Sequence, residues 1–295
     1  MEEKKKFKES FDTIFTDCDG VLYNLKGVIN NAPETINELI NEGKTIRYVT
    51  SNVTKTRTQM VERLTKLGFV NVTEESVINP LGLIADYLRD KLPQGQSVYA
   101  IGPQGKCDEL LRYKIPCFGP GKDEMDDKMI ENVFRANSYE LPENVGAVVV
   151  GPDFRVSYLK ILKAMNFFAE KGLLIRCHQP GRGVRWESGL LIPGTAPISA
   201  SITVASGRTP LHLGKPSRHL IQLLKTMAKD PERTLFVGDS LEADILTGHK
   251  CSFKTVLALT GNHNLDDVKR YAPSNGVKKQ MYIPDFYVNT LSDLV

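Results

Sequence analysis

Short apolar runs alternate with amphipathic stretches along the first part of the chain. The run at 11–17 and "TIRYVT" at 45–50 are rich in β-branched and aromatic residues, a composition that predicts buried strands. The stretches at 33–42 and about 56–67 carry apolar residues at helical spacing, and a glycine follows each of them. This order of strand, helix, strand and helix predicts a parallel sheet.

The same alternation returns toward the C-terminus. "TPLHLG" at 209–214 and "RTLFVG" at 233–238 predict strands, with a helix between them at 219–228. Further strands are predicted near 255–259 and 286–288. The two ends of the chain therefore form halves of one predicted α/β core, a doubly wound, Rossmann-like parallel sheet.

The middle of the chain has its own alternating pattern. "SVYAIG", "GAVVVGPD" and "LLIRCH" predict strands, "SYLKILKAMNFFAEKG" predicts a helix, and glycine- and proline-rich loops interrupt them. We interpret this block as an inserted second α/β domain at 94–207. The core is then predicted to comprise 1–93 and 208–295.

Composition narrows the class of protein. The 295 residues are 41% hydrophobic and 25% charged, which is typical of a globular protein, and the net charge of +3 argues against bulk binding to nucleic acid or to an anionic membrane. No apolar run approaches the roughly 20 residues of a membrane span. We predict a cytoplasmic protein with neither nucleic acid nor membrane as a partner. Five scattered cysteines without a C-x-x-C pair predict neither a disulfide framework nor a zinc site.

Polar side chains follow four of the apolar runs. They are Asp17 with Asp19, Thr50, Lys215, and Asp239 with Asp244. Taken singly, each of them is typical of a solvated turn. In a parallel sheet, however, the carboxyl ends of the strands meet at one edge, so these groups are expected to lie together. Carboxylates suit a hard cation such as Mg²⁺, and lysine and threonine donate to phosphate oxygens, so the set indicates a phosphoryl-transfer site.

These motifs resemble those of the haloacid dehalogenase (HAD) superfamily of phosphatases. "DCDG", "VTSN", "GKPS" and "GDSLEAD" stand in the family's order. "DCDGVLY", "VVVGPDFRVSYLKI", "IPGT", "VGDSLEADI" and "IPDFYVNTLSDL" are similar to the subgroup of para-nitrophenyl phosphatases, phosphoglycolate phosphatases and pyridoxal phosphate phosphatases. The resemblance covers nearly the whole chain and implies that 94–207 is a cap domain that selects the substrate.

The resemblance implies a role for each catalytic residue. Asp17 is the expected nucleophile, forming an aspartyl phosphate, and Asp19 is the expected general acid and base. Thr50 would hydrogen-bond the phosphoryl oxygens, and Lys215 would neutralise developing charge. Backbone amides of Ser51 and Asn52 are expected to help bind the phosphoryl group.

The same resemblance implies Mg²⁺ as cofactor. Its expected ligands are the Asp17 carboxylate, the backbone carbonyl of Asp19 and the carboxylate of Asp239. Asp244 is expected to hold either a metal-bound water or Lys215, and the sequence leaves both roles open.

The loop "RCHQPGRGVRW" departs from the subgroup. His178 stands where relatives carry an asparagine, and it is either a structural histidine or part of the substrate pocket. Arg182 and Arg185 are candidates for pairing with a substrate carboxylate such as that of phosphoglycolate, or they belong to a solvated turn. Capped relatives also suggest a homodimer formed through the cap.

The sequence therefore predicts a Mg²⁺-dependent phosphomonoesterase for small phosphorylated metabolites. Phosphoglycolate is the expected type of substrate, with para-nitrophenyl phosphate as an artificial one, and a pyridoxal phosphate or sugar phosphate phosphatase is the alternative. A non-catalytic protein that binds a phosphate ligand is the competing class. No nucleotide-binding glycine motif supports that class, because "GPQGK" at 102–106 is too short for a phosphate-binding loop of the G-x-x-x-x-G-K-[ST] type.

Overall fold

A computed structural model describes residues 2–126, 128, 129, 131, 141–167, 172–177, 184, 185, 190–271 and 277–295. Contacts divide the chain into two compact units. The first unit comprises Met1–Ser51, Arg57–Asn79 and Lys215–Val295. The second unit comprises Asn52–Thr56 and Pro80–Gly214, so it is an insertion within the first.

The described strands, numbered in chain order, are β1 (Thr13–Thr16), β2 (Tyr23–Asn24), β3 (Gly27–Val28), β4 (Thr45–Val49), β5 (Val77–Ile78), β6 (Ser97–Ile101), β7 (Cys117–Phe118), β8 (Val145–Val150), β9 (Leu173–Arg176), β10 (Val184–Arg185), β11 (Leu191–Ile192), β12 (Leu211–His212), β13 (Thr234–Gly238), β14 (Lys254–Ala258) and β15 (Phe286–Val288).

The described α-helices are α1 (Glu2–Glu9), α2 (Ala32–Asn41), α3 (Arg57–Lys66), α4 (Pro80–Lys91), α5 (Gly105–Arg112), α6 (Tyr158–Asn166), α7 (Thr195–Ser206), α8 (Arg218–Met227), α9 (Leu246–Cys251) and α10 (Leu265–Lys269). A π-helical turn at Leu241–Ile245 leads into α9.

The first unit contains a six-stranded sheet in the order β15-β14-β13-β1-β4-β5, and all its neighbouring strands are parallel. Strand β1 lies between β13 and β4, and all four of its residues are buried. Burial on both faces explains why this strand is a continuous apolar and threonine-rich run rather than an alternating one. The predicted α/β fold class with a doubly wound parallel sheet is confirmed.

The second unit contains a five-stranded parallel sheet in the order β12-β9-β8-β6-β7. From β6 the chain passes through α5 to β7 on one side, and from β8 it passes through α6 to β9 on the other. The direction in which the strands are added therefore reverses between β6 and β8.

The boundaries of the two units differ from the predicted domain boundaries at 94 and 207. Helix α4 buries Leu81, Ile84 and Leu88 in the apolar cluster of the second unit, which therefore begins at Pro80 and not at 94. Strand β12 pairs with β9, so "TPLHLG" adds a strand to the second sheet, where the sequence had suggested one in the first. Two half-buried residues carry no pattern that specifies which sheet they join.

The cysteines also differ from the expectation. Cys107 in α5 and Cys117 in β7 form a disulfide, because α5 leads directly into β7 and brings their Cα atoms to 5.1 Å. Cys18, Cys177 and Cys251 are free and buried. Within the described part of the chain, no helix is long and apolar enough to cross a membrane.

Candidate active site

Three neighbouring strands of the first sheet deliver polar residues to one edge. Asp17 follows β1, Thr50 follows β4, and Asp239 follows β13. Because these strands are parallel and adjacent, their carboxyl ends meet, which is where open α/β sheets bind ligands. Two further residues, Lys215 and Asp244, complete the cluster.

The Lys215 ammonium lies at the centre of this edge, and the residue is only 4% exposed. Its Nζ contacts Asp17 Oδ1 at 2.9 Å and Asp244 Oδ1 at 2.6 Å. It also donates to the backbone carbonyl of Val49 at 2.8 Å. Two carboxylates and one carbonyl therefore compensate this buried charge, which fixes the ammonium beside Asp17.

Asp244 is fully buried and has both carboxylate oxygens engaged. Oδ1 accepts the hydrogen bond from Lys215, and Oδ2 accepts from the backbone N–H groups of Asp239 at 3.2 Å and Ser240 at 3.0 Å. These bonds join the lysine to the loop that follows β13. Of the two roles left open by the sequence, the contacts match the one in which Asp244 holds Lys215.

Asp239 has one satisfied and one unsatisfied oxygen. Oδ2 accepts from the backbone N–H of Asn262 at 2.8 Å and from its side-chain amide at 2.9 Å. Oδ1 is buried and has no hydrogen-bond partner among the described residues. A buried carboxylate oxygen without a partner is costly, so an additional ligand is expected at this atom.

Three glycines make room for these carboxylates. A Cβ at Gly20 would lie 2.2 Å from Asp239 Oδ2, and one at Gly261 would lie 1.8 Å from the same atom. A Cβ at Gly238 would lie 2.1 Å from the Cβ of Asp244. Gly20 also has a φ of +87°, a conformation that disfavours other residues. Glycine is therefore required at each of these positions by close approach.

The carboxylates of Asp17 and Asp19 lie in different environments. Asp17 is 7% exposed, and its Oδ1 also accepts from the backbone N–H of Cys18 at 2.7 Å. Asp19 is exposed, and its Oδ2 accepts from Thr50 Oγ1 at 3.4 Å. One carboxylate is thus held in the interior while the other faces solvent.

Burial and neighbouring charges shift the pKa values of the site. Burial raises the pKa of Asp17 well above its usual range, with Lys215 opposing this and Asp244 and Asp239 adding to it. Burial, with the charge of Asp244, raises the pKa of Asp239 to about 6. Although Asp19 is exposed, the protein packed around its other sides raises its pKa as well. For Lys215, burial lowers the pKa, but the charges of Asp17 and Asp244 outweigh burial and raise it.

The donor set fits a hard divalent cation. Carboxylate oxygens of Asp17, Asp239 and Asp244 lie within 4.8 Å of one another. Oxygen ligands of this kind are those that Mg²⁺ prefers, and the unpartnered Oδ1 of Asp239 is an open ligand position. The charge of a cation would also favour the ionised carboxylates that burial disfavours.

The other predicted site residues are placed as follows. Ser51 directly follows Thr50, and the Asn52 side chain accepts from the backbone N–H groups of Thr54 at 2.9 Å and Lys55 at 3.2 Å, which is a local turn. His178 and Arg182 lie outside the described residues. For Arg185, only its place in β10 is described.

Sequence reasoning missed two contributors to the site in the loop after β14. Asn262 fixes Asp239, and Thr260 Oγ1 donates to the backbone carbonyl of Gly20 at 2.6 Å. The stretch "LTGNHN" at 259–264 carried a signal, because a glycine and amides follow a buried strand of the same sheet.

Comparison with known proteins agrees with this geometry. Residues 14–115 match a family model described as haloacid dehalogenase-like hydrolase, and residues 212–294 match one described as HAD-hydrolase-like. Glycerol-3-phosphate phosphatase of Gallus gallus is 34% identical over 96% of this chain and 91% of its own length. Chronophin of Mus musculus is 31% identical over 96% of this chain and 91% of its own.

Among solved structures, a p-nitrophenyl phosphatase from Archaeoglobus fulgidus superposes with a TM-score of 0.76. The two sequences are 25% identical, and the match covers 97% of this chain and 98% of that one. The chain therefore belongs to the haloacid dehalogenase-like hydrolase family. Within that family it is a phosphatase, as the resemblance of its sequence motifs implied.

Proposed function

We propose that this protein is a Mg²⁺-dependent phosphomonoesterase that hydrolyses small phosphorylated metabolites through an aspartyl phosphate on Asp17. The observation that carries the proposal is the buried pairing of Asp17 with Lys215 beside an unpartnered oxygen of Asp239. A permanent ammonium next to a buried carboxylate favours approach of a phosphate dianion that the carboxylate alone would repel.

In the proposed mechanism, Asp17 attacks phosphorus while Asp19 gives its proton to the leaving oxygen. Asp19 then takes a proton from the water that attacks the phosphoryl group, which releases phosphate and regenerates Asp17. The hydroxyl of Thr50 binds the phosphoryl oxygens, with help from the amides of Ser51 and Asn52, and the Lys215 ammonium beside Asp17 neutralises the developing negative charge. Asp244 acts on Lys215 and is a positioning residue.

We assign Mg²⁺ to Asp17, Asp239 and the backbone carbonyl of Asp19. When bound, the ion would withdraw charge from the phosphoryl oxygens and from the carboxylates around it. Because both oxygens of Asp244 are already engaged, this residue supports the metal site through the loop that carries Asp239.

The test is phosphate release from para-nitrophenyl phosphate with and without Mg²⁺. Asp17→Asn keeps the size of the side chain and removes the nucleophile, so we expect a fall of at least about 10³-fold. Asp12→Asn is the matched control, because Asp12 is an exposed residue that pairs with Arg233. The proposal fails if Asp17→Asn retains wild-type activity, or if the wild type is equally active after chelation.

The substrate proposal is a small aliphatic phosphomonoester. The glycerol-3-phosphate phosphatase relative supports this class, and phosphoglycolate, expected from the sequence, belongs to it too. We expect kcat/KM for glycerol 3-phosphate or phosphoglycolate to exceed that for pyridoxal phosphate or sugar phosphates. A preference for pyridoxal phosphate would favour the alternative. Arg182→Ala and Arg185→Ala separate the two aliphatic substrates, because only phosphoglycolate offers a carboxylate to an arginine.

We also propose a cytoplasmic location and a homodimer formed through the second unit. Exposed apolar side chains in that unit, including Leu191 and Val204, support the second of these. Sedimentation of the wild type and of Val204→Asp measures it, because a charge within a dimer interface would shift the protein toward the monomer.

A further inference from the structure

A crevice of about 320 Å³ lies within the second unit, and its lining shares no residue with the carboxylate cluster described above. Its walls are the loop after β6 (102–104), the loop after β8 (152–155), and the pair Pro120 and Gly121. Both of the longer loops follow the carboxyl ends of adjacent parallel strands.

This position is the point at which the second sheet reverses its winding. The chain leaves β6 toward β7 and leaves β8 toward β9, so the two connections diverge and a gap opens between their loops. Such switch points are where open α/β sheets bind ligands. The second unit therefore has the architecture of a binding site independently of the first.

A buried lysine lies directly behind the wall of the crevice. Lys106, in the first turn of α5, is 1% exposed, and its Nζ has no hydrogen-bond partner among the described residues. A Cβ at Gly102 would lie 2.3 Å from Nζ, and one at Gly151 would lie 2.4 Å from it. Glycines at these strand ends thus leave no side chain between the amine and the loops that line the crevice.

The surroundings do not neutralise this lysine. Asp153 is the wall carboxylate, and its Oδ2 is bound to the buried Lys160 at 2.7 Å, while Lys160 also donates to the Gly121 carbonyl at 2.6 Å. The three buried charges are two positive and one negative, and the exposed Arg155 adds a positive charge at the rim. The N-terminal end of α5 contributes further positive potential.

Burial accordingly lowers the pKa of Lys106, opposed by Cys177 and Asp153. Cys177 does not act as its counter-charge at neutral pH, because burial raises the pKa of that thiol to about 11. An anion entering the crevice would supply the missing negative charge and would favour the ammonium form. Anion binding is therefore expected to be coupled to proton uptake by Lys106.

Apart from the polar residues Thr54 and Gln104, the rest of the lining is apolar. Pro103, Pro120 and Pro152 form the walls, and the side chain of Phe154 at the rim is 87% exposed. An exposed aromatic ring beside proline walls suits a flat or apolar body attached to the anionic group.

We propose that this crevice is a second ligand site, which binds a small molecule carrying a phosphate-like or carboxylate oxyanion on an apolar body, with Lys106 as the counter-charge. All of its lining residues belong to the second unit, and none of them is a residue of the proposed hydrolytic machinery. Its test therefore needs neither turnover nor Mg²⁺.

The experiment follows the ¹³Cε signals of lysine in the full chain, labelled at lysine and free of Mg²⁺, with phenylphosphonate as the probe. This compound has a P–C bond and no ester oxygen, so phosphatase activity cannot consume it. The signal that disappears in Lys106→Met belongs to Lys106, and the signal that disappears in Lys215→Met belongs to Lys215. Each unit therefore has its own reporter. Both reporters are titrated with pH at each concentration of the probe.

We expect phenylphosphonate to shift the Lys106 signal saturably in the millimolar range or below and to raise the apparent pKa of Lys106. Calorimetry should show binding that weakens as the pH rises through that pKa, and binding at least about tenfold weaker in Lys106→Met, the size of a lost charged contact. Arg155→Gln should weaken binding several-fold while leaving the Lys106 signal in place. Lys122→Met, at an exposed lysine of the same unit, is the control.

A saturable shift of Lys215 alone would place the anion in the first unit only and would overturn the proposal. An unchanged Lys106 signal throughout the titration would overturn it equally. If Lys106→Met fails to fold, the charge-conserving Lys106→Arg assigns the signal by its disappearance, and the wild-type titration with the Arg155→Gln comparison then decides.

Discussion

Lys215 in the first unit and Lys106 in the second are both buried near the carboxyl edge of a parallel sheet, and the two lysines are compensated in opposite ways. Lys215 is 4% exposed and has two carboxylates and a carbonyl as partners. Lys106 is 1% exposed, and its ammonium has no hydrogen-bond partner among the described residues. The pKa of the first is raised because its partners outweigh burial, and that of the second is lowered because burial dominates.

The difference shows that burial alone does not determine the charge of a lysine. In the first unit, the fold itself supplies the opposite charge, so the ammonium is permanent beside the carboxylate that we propose as the nucleophile. In the second unit, the compensation is missing, and we infer that a ligand supplies it. The two lysines thus provide a controlled comparison within one chain.

Removing the paired lysine is expected to have the largest effect. Lys215→Met should lower kcat for para-nitrophenyl phosphate by about 10²–10³-fold, because a preorganised positive charge at the phosphoryl group is lost. It should also lower the free energy of unfolding by about 3–5 kcal/mol, since two buried carboxylates lose their partner. Lys225→Met, on the exposed face of α8, is the control in both the assay and urea denaturation. Activity within threefold of wild type would contradict the assigned role.

Removing the charge of Asp244, which holds Lys215, should have a smaller effect on activity. Asp244→Asn leaves Lys215 bonded to Asp17 and Val49, so we expect kcat to fall about 10–100-fold with little change in KM. The double variant with Lys215→Met should be scarcely slower than Lys215→Met alone, because Asp244 acts through the lysine. Additive losses in steady-state kinetics would show that Asp244 has a separate role.

Substitution of a glycine next to the carboxylates should have a smaller effect, confined to Mg²⁺ binding. A Cβ at Gly261 would collide with Asp239 Oδ2, so Gly261→Ala should displace that carboxylate and raise the Mg²⁺ concentration for half-maximal activity about tenfold. Gly194→Ala is matched to it, because no atom lies within 4 Å of the added Cβ there. An identical Mg²⁺ titration for Gly261→Ala and wild type would argue against Asp239 as a ligand.

The smallest expected effect concerns the unpaired lysine and stability. The folded pKa of Lys106 lies below its unfolded value of 10.5, so between the two values the unfolded chain binds more protons and stability rises with pH. Below the folded pKa, the penalty is constant at about 1.4 kcal/mol for each unit of the shift. Lys106→Met should therefore be more stable than wild type at pH 7, and this advantage should disappear as the pH rises through 10.5.

Urea denaturation at the two pH values measures this difference, and Lys122→Met should show no comparable dependence on pH. A Lys106→Met protein that is less stable than wild type at neutral pH would mean that the ammonium has a stabilising partner.

The contrast also marks what could be predicted from sequence. Asp17, Thr50 and Asp239 were found because each follows a buried strand, and adjacent parallel strands must end together. Lys106 was not found, because "GPQGK" was judged only against phosphate-loop motifs and no local pattern shows that a lysine in a first helical turn is buried. The contact of Asn262 with Asp239 joins two separate loops, so it too needed the tertiary structure.

The limits of the fold prediction have a similar origin. Apolar runs and helical spacing placed β4, β13, β14 and α2 correctly to within one or two residues. Helix α4 and strand β12 lie where the chain passes between the units, and their own sequences are compatible with either sheet. Only the packing of Leu81 and Leu88 and the pairing of β12 with β9 decide their membership.

The position of β1 in the middle of its sheet also has a consequence for biosynthesis. Residues 13–16 pair with 234–237, so the first sheet cannot close until most of the chain has left the ribosome. Apart from a five-residue segment, the second unit is continuous from 80 to 214 and is complete before that partner strand is made. Because domains generally fold as units during synthesis, the inserted unit is expected to fold first, while the N-terminal strand awaits its partner. Pulse proteolysis of stalled nascent chains would record this order.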